Sequence, residues 1–523
     1  MFGSPNLTII SQLGKQAFQW CRNYILYLQQ LLHFNMKNIL KEREFLIIIA
    51  VFSVLRILAV AFMGLMPQDA YYTYYSDNLA LSYFDHPPMV AYMIRFFLFF
   101  LGKSALALHI ADFMVTTVTI SALYLFIKQI LSGTEVKRAL ILFFTAPLAT
   151  ILSINTTPDV PLMFFWSLTL LFAYNAIDKD RWFWWLLAGL SSGFAFDSKY
   201  TAVFLPAGLF LFLLLSKEHR RYIVSYRFVL FSAAFLAAIF PVVLWNIQND
   251  FISLRYQSAD RASGISSFEF DPALFPGFFF SQMLLALPLF FLSLYASGYL
   301  VVKRYFKGES IAKGVLFAAS FALPMLWAFT AISFVYWVKI NWIMPVFLSA
   351  TVLAAQYLKN DKAVRYQTIF SGIAHLALLV QLVWMPVMVK SDDTWFGWKE
   401  LAQKVDELEE QNPDDFFFSD NSYKISAVLN FYSDEHIYAG NVIDKFAFQF
   451  ALDNRDLSHL DGQDAIYVTS ERYRRKNLRI GSIESMLEKH FESAQLVDSL
   501  VIRDRDGDIH RKFYFYDCDN YQN

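Results

Sequence analysis

The sequence predicts a mainly α, polytopic membrane protein with a C-terminal soluble α/β domain. Three observations carry this prediction. Of the 523 residues, 56% are hydrophobic and only 17% are charged, against roughly 25% charged in an average soluble domain. Long apolar runs follow one another from Phe45 to Val389, most of them near the roughly 20 residues that a bilayer crossing needs. From Ser391 the chain becomes charged, and its apolar residues recur with the periods of soluble helices and strands.

Residues 1–44 are expected to form a cytoplasmic N-terminal segment. Lys15, Arg22, Lys37, Lys41 and Arg43 break its apolar residues, and no small-residue cleavage site follows an apolar core as in a secretory signal. Phe18–His33 has the pattern of an amphipathic helix on a membrane surface, or is a plain extension. Met36 is an alternative start, directly before the basic flank Lys37–Arg43.

Residues 45–390 are expected to form the membrane domain. Its apolar runs are Phe45–Leu65, Ala105–Leu131, Ala139–Ile154, Pro158–Ile177, Trp182–Phe196, Thr201–Leu215, Phe228–Trp245, Leu274–Val302, Val315–Ala331, Val335–Leu358 and Thr368–Val389. By length these are about eleven spans. Phe96–Leu101 is too short to cross and fits a re-entrant or interfacial piece. Arg56, inside the first run, is expected to face the protein interior in a structural role.

Charge orients these runs. Lys137, Arg138, Lys179, Arg181, Lys217, Arg220, Arg221, Arg227, Lys303, Arg304, Lys307, Lys313, Lys359, Lys362 and Arg365 fall in alternate loops, and the intervening loops are poor in basic residues. The positive-inside rule then puts the N-terminus in the cytoplasm. An odd number of spans puts residues 391–523 outside, in the periplasm if the membrane is a bacterial inner membrane, the location expected here. Cys21 and Cys518 would then lie on opposite sides, so no disulfide between them is expected.

In the tail, Trp398–Glu410 and Ile483–Glu492 have helical periodicity. Phe416–Ser419, Ala465–Thr469, Leu496–Arg503 and Lys512–Asp517 read as strands, with Asp504–Asp508 as the turn between the last two. A domain of this size holds its own core. The net charge of −1 gives no argument for nucleic acid. No GxGxxG, P-loop, HExxH or CxxC pattern occurs.

Polar residues gather in the loops of one face. Gln68–Arg95 holds Asp69, Asp85, His86, Pro87-Pro88 and many tyrosines; the two prolines impose a turn or helix break. Further loops hold Asn155–Asp159, Asp197–Tyr200, Trp245–Asp250 with Arg255 beyond it, and Tyr336–Trp342. One face for all of them is what a single site at the membrane surface requires. Each loop also has a structural reading. Asp159 after Pro158 suits the start of a helix, Asp197 with Lys199 a loop ion pair, and the aromatic residues an interfacial anchor.

The run Asp69-Ala70-Tyr71-Tyr72, followed by Tyr83-Phe84-Asp85-His86-Pro87-Pro88, resembles the first external loop of the family 39/83 glycosyltransferases of the GT-C class. That class includes protein O-mannosyltransferases and the aminoarabinose transferase that modifies lipid A. Thr157–Leu162, Ser198–Thr201, Pro241–Asn246, Lys339–Trp342 and Asn430-Phe431-Tyr432 are similar in the same order. The resemblance covers roughly residues 45–440. It implies a GT-C fold with about 11–13 transmembrane helices. It also implies transfer of a sugar from a polyprenyl-phosphate carrier to a lipid, glycan or protein acceptor on the outer side. The family's loop usually reads Asp-Glu-Ala-Tyr-Tyr. Here Gln68 replaces the first acid and Asp69 shortens the second.

On this resemblance Asp69 is the expected catalytic base, deprotonating the acceptor for an inverting displacement. The leaving phosphate needs cations or donors, and Lys199, Lys339, His86 and Arg255 are candidates. Gln68, Asp85 and Asp159 would position acceptor, sugar or a divalent ion. Tyr71, Tyr72, Tyr200, Asn246, Asn341 and Trp342 complete the expected substrate-binding set. Metal dependence stays open: Mg²⁺ or Mn²⁺ would suit oxygen ligands such as Asp69 and Asp159. Two other readings stay open as well. A transporter or flippase of lipid-linked sugars would place ionisable residues near the bilayer midplane and show internal repeats. An inactive GT-C relative is the other, suggested by the replaced acid.

Overall fold

A computed structural model describes residues 42–260, 270–389, 391–472 and 483–522. The expected N-terminal amphipathic helix and Cys21 lie outside these residues.

Among the described residues, the regular structure of the membrane domain is all helical. Helix α1 (Glu42–Phe62) is followed by the short α2 (Pro67–Asp77), α3 (Met89–Leu101) and α4 (Ala105–Ile130). Pro67 opens α2 at a position where a missing N–H costs nothing, and the Ser104 side chain caps α4 by accepting from Ala107 N–H. The expected run Ala139–Ile154 is divided into α5 (Thr134–Phe144) and α6 (Pro147–Ile151), because Pro147 cannot continue a helix. The Arg56 guanidinium donates to the freed Phe144 carbonyl at 2.7 Å, so this buried arginine has the structural role expected of it. Next come α7 (Asp159–Lys179), α8 (Trp182–Phe196), α9 (Phe204–Leu215) and α10 (Tyr226–Gln248).

Two further expected single spans differ from what is observed. Leu274–Val302 is a bent pair, α11 (Leu274–Ala286) and α12 (Pro288–Phe306), with axes 112° apart. The break is at Leu287, which precedes proline and takes φ +68°. After α13 (Lys313–Ile332), the run Val335–Leu358 is helical only as α14 (Val346–Tyr357). Pro345 and the polar residues Lys339 and Asn341 leave residues 333–345 as an irregular loop. Helix α15 (Asp361–Trp384), capped by the Asn360 side chain, ends the domain. Six helices among the described residues are long and apolar enough to cross a membrane, or up to seven with the bent pair counted once; four shorter apolar helices accompany them. Outward residues such as Leu46, Val54, Phe99, Leu236 and Ile373 are exposed, as a bilayer-facing surface requires.

The C-terminal domain follows the pattern read from the sequence. Helix α16 (Trp398–Gln411) packs on a four-stranded sheet of β1 (Phe416–Phe418), β2 (Ala465–Ser470), β3 (Phe491–Arg503) and β4 (Ile509–Tyr521). The order is β1-β2-β4-β3, with β1 parallel to β2 and the other pairs antiparallel. The turn at Asp504–Asp508 uses Gly507 at φ +86°. The expected helix Ile483–Glu492 shrinks to Glu484–Leu487, since Phe491 already pairs with Tyr521 at the start of β3. Helices α17 (Lys424–Tyr432) and α18 (Gln449–Asp453) face the membrane domain and pack on the first external loop. Asn430-Phe431-Tyr432 is the last turn of α17.

Candidate active site

A cavity of about 510 Å³ lies where the loops of the membrane domain meet the C-terminal domain. From the first loop come Gln68, Tyr72, Asp85 and His86; from the second, Asn155, Thr157, Pro158 and Asp159. Lys199 comes from the third loop, and Trp337, Lys339, Asn341 and Trp342 from the last. Tyr423 and Phe448 close it from the C-terminal domain. A second chamber of about 300 Å³ shares His86, Lys199 and Trp342, and is otherwise largely apolar, with Val203, Phe204, Phe329 and Tyr336.

Two carboxylates border the cavity, in different states. Asp159, at the first position of α7, accepts Lys199 Nζ at 2.8 and 3.0 Å and Asn341 Nδ2 at 2.7 Å. Lysine and carboxylate are both buried, so their charges are mutually compensated. Asp85 follows the Tyr83-Phe84 turn. Its Oδ1 accepts the Tyr71 hydroxyl at 3.2 Å and is bonded to the Tyr75 hydroxyl; Tyr75 also lies 2.8 Å from the Tyr71 hydroxyl. Burial, reinforced by the Asp85 charge, pushes both phenols well above their ordinary pKa. They therefore remain protonated and serve as donors. The backbone carbonyl of Asp85 accepts Gln257 Nε2, and His86 Nε2 stands 3.9 Å from Asp85 Oδ2.

Asp69 is placed otherwise. It is fully buried, and both oxygens are engaged. Oδ2 accepts the Met66 backbone N–H at 2.9 Å and lies 3.2 Å from His109 Nε2, while Oδ1 accepts the Thr156 backbone N–H at 2.8 Å. The Thr156 hydroxyl in turn donates to Asp112 at 2.6 Å. Asp69 thus caps α2 from its third position and ties the first loop to the second; it does not line the cavity.

The chain is similar to known proteins in sequence and in fold. A family model described as dolichyl-phosphate-mannose-protein mannosyltransferase matches residues 85–245. The lipid A galacturonosyltransferase RgtD of Rhizobium johnstonii is 24% identical over 400 residues, which is 73% of this chain and 81% of that protein. The structure of ArnT from Cupriavidus metallidurans bound to undecaprenyl phosphate superposes with a TM-score of 0.60 at 13% identity, covering 90% of this chain and 97% of that one. Its apo form gives 0.59 at 12% identity with the same coverage. The chain has the fold of these ArnT structures, that of the GT-C class.

This fold brings most of the expected residues to one place. Gln68, Tyr72, Asp85, His86, Asp159, Lys199, Lys339, Asn341 and Trp342 line the main cavity, and Tyr200 the second chamber. Tyr71 lies behind Asp85 as its hydrogen-bond partner. Asn246 is buried at the end of α10, where Oδ1 accepts Leu254 N–H and Nδ2 donates to the Val242 carbonyl and, at 3.5 Å, to the Tyr200 hydroxyl. Arg255 is exposed and lines neither chamber. Among the described residues no group of three or more His, Cys, Asp or Glu converges as a metal site. Asp69 and Asp159, the acids offered for a cation, spend their oxygens on the donors named above, so this pair does not fit an ion.

Sequence reasoning missed His109 and Asp112, which lie inside an apolar run. An acid and a histidine three residues apart on one helix face were the available signal. It also missed Tyr256, Tyr423 and Phe448, which line the main cavity, and Gln449, which accepts the Phe84 N–H; for these no local signal exists.

Proposed function

We propose that this glycosyltransferase moves a sugar from a polyprenyl-phosphate carrier to a hydroxyl or amine of a lipid acceptor of the lipid A type, on the periplasmic side of a bacterial inner membrane, with Asp85 as the base. The observation that carries the reading is the placement of Asp85. It is a carboxylate on the wall of a cavity that shares His86, Lys199 and Trp342 with an apolar chamber, and it is held by two phenols. Asp159 is committed to Lys199 and Asn341, and Asp69 is sealed away, so Asp85 replaces Asp69 in the base role.

The step is a single displacement. The acceptor proton passes to Asp85, the acceptor atom bonds to the anomeric carbon, and the bond from that carbon to the phosphate oxygen breaks with its electron pair leaving on the phosphate. The configuration inverts. His86, Lys339 and the Lys199 ammonium lie along the cavity as partners for the leaving phosphate. The apolar second chamber fits the first isoprene units of the carrier. RgtD's action on lipid A and ArnT's complex with undecaprenyl phosphate support the acceptor and donor classes. The periplasmic side rests on the alternation of basic loops.

Mass spectrometry of lipid A and surface glycans tests this in a strain lacking the gene, complemented with the native or the Asp85→Asn chain. The expected result is one sugar lost on deletion, restored by the native chain and not by Asp85→Asn. Restoration by Asp85→Asn overturns the base assignment. An unchanged glycan and lipid profile on deletion overturns the transferase reading in favour of an inactive relative.

A further inference from the structure

The C-terminal domain reaches the site through residues 446–453. Phe448 and Tyr423 line the cavity. Tyr423 also stacks on Tyr71 with ring centroids 4.4 Å apart, and Phe450 lies 4.3 Å from Tyr74. Phe446 and Phe448 pack on Phe84. Within this aromatic contact sits one buried amide, Gln449.

Gln449 holds the Asp85 turn from two directions. Its Oε1 accepts the Phe84 backbone N–H at 2.8 Å, across 365 positions of sequence. Its own backbone N–H donates to the Tyr71 hydroxyl at 3.2 Å, and that hydroxyl donates to Asp85 Oδ1. The remaining amide hydrogen-bonding group, Nε2, donates to Asp453 Oδ1 at 2.8 Å, which fixes which end of the amide faces Phe84. Phe84 is buried, so without Oε1 its N–H would be an orphan donor that the turn must move to satisfy. The chain just before Gln449 takes φ +51° at Phe448, a left-handed value unusual for a bulky residue, and this conformation presents Gln449 to the turn.

We propose that Gln449 is a positioning residue of the transferase. It fixes the Tyr83–Phe84 peptide, one residue before Asp85, directly and the Asp85 carboxylate through Tyr71, so that the C-terminal domain sets the geometry of the base. This inference rests on the assignment of Asp85 as that base. A base must sit within hydrogen-bond reach of the acceptor proton, and displacement by about 1 Å costs on the order of 100-fold in rate. The C-terminal domain is therefore part of the catalytic apparatus, although it supplies no group to the reacting atoms.

The test uses the full chain in lipid nanodiscs, as the native form, as Gln449→Leu, and as the pair Gln449→Glu/Asp453→Asn. The pair keeps an acceptor for Phe84 and reverses the second hydrogen bond. Hydrogen exchange of the segment 83–88 needs no substrate. It should quicken by about tenfold or more in Gln449→Leu and return towards the native rate in the pair. Transfer is measured with the lipid extract whose sugar is lost on gene deletion. Its kcat should fall roughly 10- to 100-fold in Gln449→Leu, with KM for that extract within about threefold of native, and recover in the pair. Unchanged exchange at 83–88, or quickened exchange with unchanged kcat, overturns the positioning role. If the native chain transfers nothing while exchange follows the expected order, the functional reading fails, and the catalytic meaning of Gln449 fails with it.

Discussion

The Asp69 carboxylate accepts the backbone N–H of Thr156 at 2.8 Å, joining the loop after the first membrane helix to the loop that presents Asp159. This bond, with those from Met66 and His109, makes Asp69 a structural centre. Asp69→Asn replaces one acceptor oxygen by a donor that faces N–H groups. It is expected to destabilise the chain by about 1–3 kcal/mol and lower its melting temperature. Asp85→Asn should melt as the native chain does and lose transfer by about 10²–10⁴-fold. Melting curves and transfer rates of the two variants, measured side by side, decide the roles. Native melting with abolished transfer in Asp69→Asn would return the base assignment to Asp69.

The pair Lys199–Asp159 predicts a different pattern. Lys199→Met leaves a buried carboxylate with Asn341 as its remaining named partner, and breaking a buried pair in this way costs about 3–5 kcal/mol. Adding Asp159→Asn removes the uncompensated charge, so the double variant should regain most of the lost stability. Transfer should stay low in both, because the cavity wall has lost its ammonium. A double variant as unstable as Lys199→Met alone would contradict the pairing.

What was legible in the sequence follows from how local each signal is. The strands at Ala465–Ser470 and Ile509–Tyr521 and the helix from Trp398 alternate or recur within a few residues, so their pattern is self-contained. The cavity residues from Gln68 to Trp342 were legible because polar groups at the edges of apolar runs stand out against composition. The span count was less legible. A run such as Val335–Leu358 is apolar and long enough for one span, yet its helix begins only after Pro345, and Asn341 before it turns to Asp159. Asp69 was expected as the base because its chemistry is evident from sequence, while its burial behind the cavity, against Thr156 and His109, is set only by folding. Gln449 was invisible for the same reason at longer range.

Asp197 gives a pH dependence. It follows α8, is buried, and burial raises its pKa from 3.8 to about 8. Between about pH 4 and 8 the folded chain therefore holds a proton that the unfolded chain has released, and stability falls as pH rises through that window. Above about pH 8 both states are ionised and the contribution levels off. Asp197→Asn keeps the shape without the titration. Its melting temperature should match that of the native chain near pH 4 and exceed it increasingly towards pH 8. A difference that stays constant from pH 4 to 9 would show that Asp197 does not titrate in this way.

Helices α8 and α10 meet through glycine, and their contact sets the last prediction. A Cβ on Gly189 would stand 2.3 Å from the Phe231 carbonyl oxygen and 2.7 Å from Ala234 Cβ; one on Gly193 would stand 2.4 Å from Ala238 Cβ. Backbone and β-carbons cannot turn aside as a long side chain does, so the helices must separate. Helix α8 leads directly into Asp197-Ser198-Lys199, and α10 ends at Gln248, just past the Asn246 hydrogen bonds. Separation at the glycines therefore moves Lys199 against Asp159 as well as weakening the fold. Gly193→Val should lower both melting temperature and transfer. Gly372, inside α15, is the contrasting case, because nothing lies within 4 Å of its added Cβ. Gly372→Ala should leave transfer unchanged and stabilise the helix by roughly 0.5–1 kcal/mol. Equal effects from the two substitutions would mean that the α8–α10 contact is looser than these distances require.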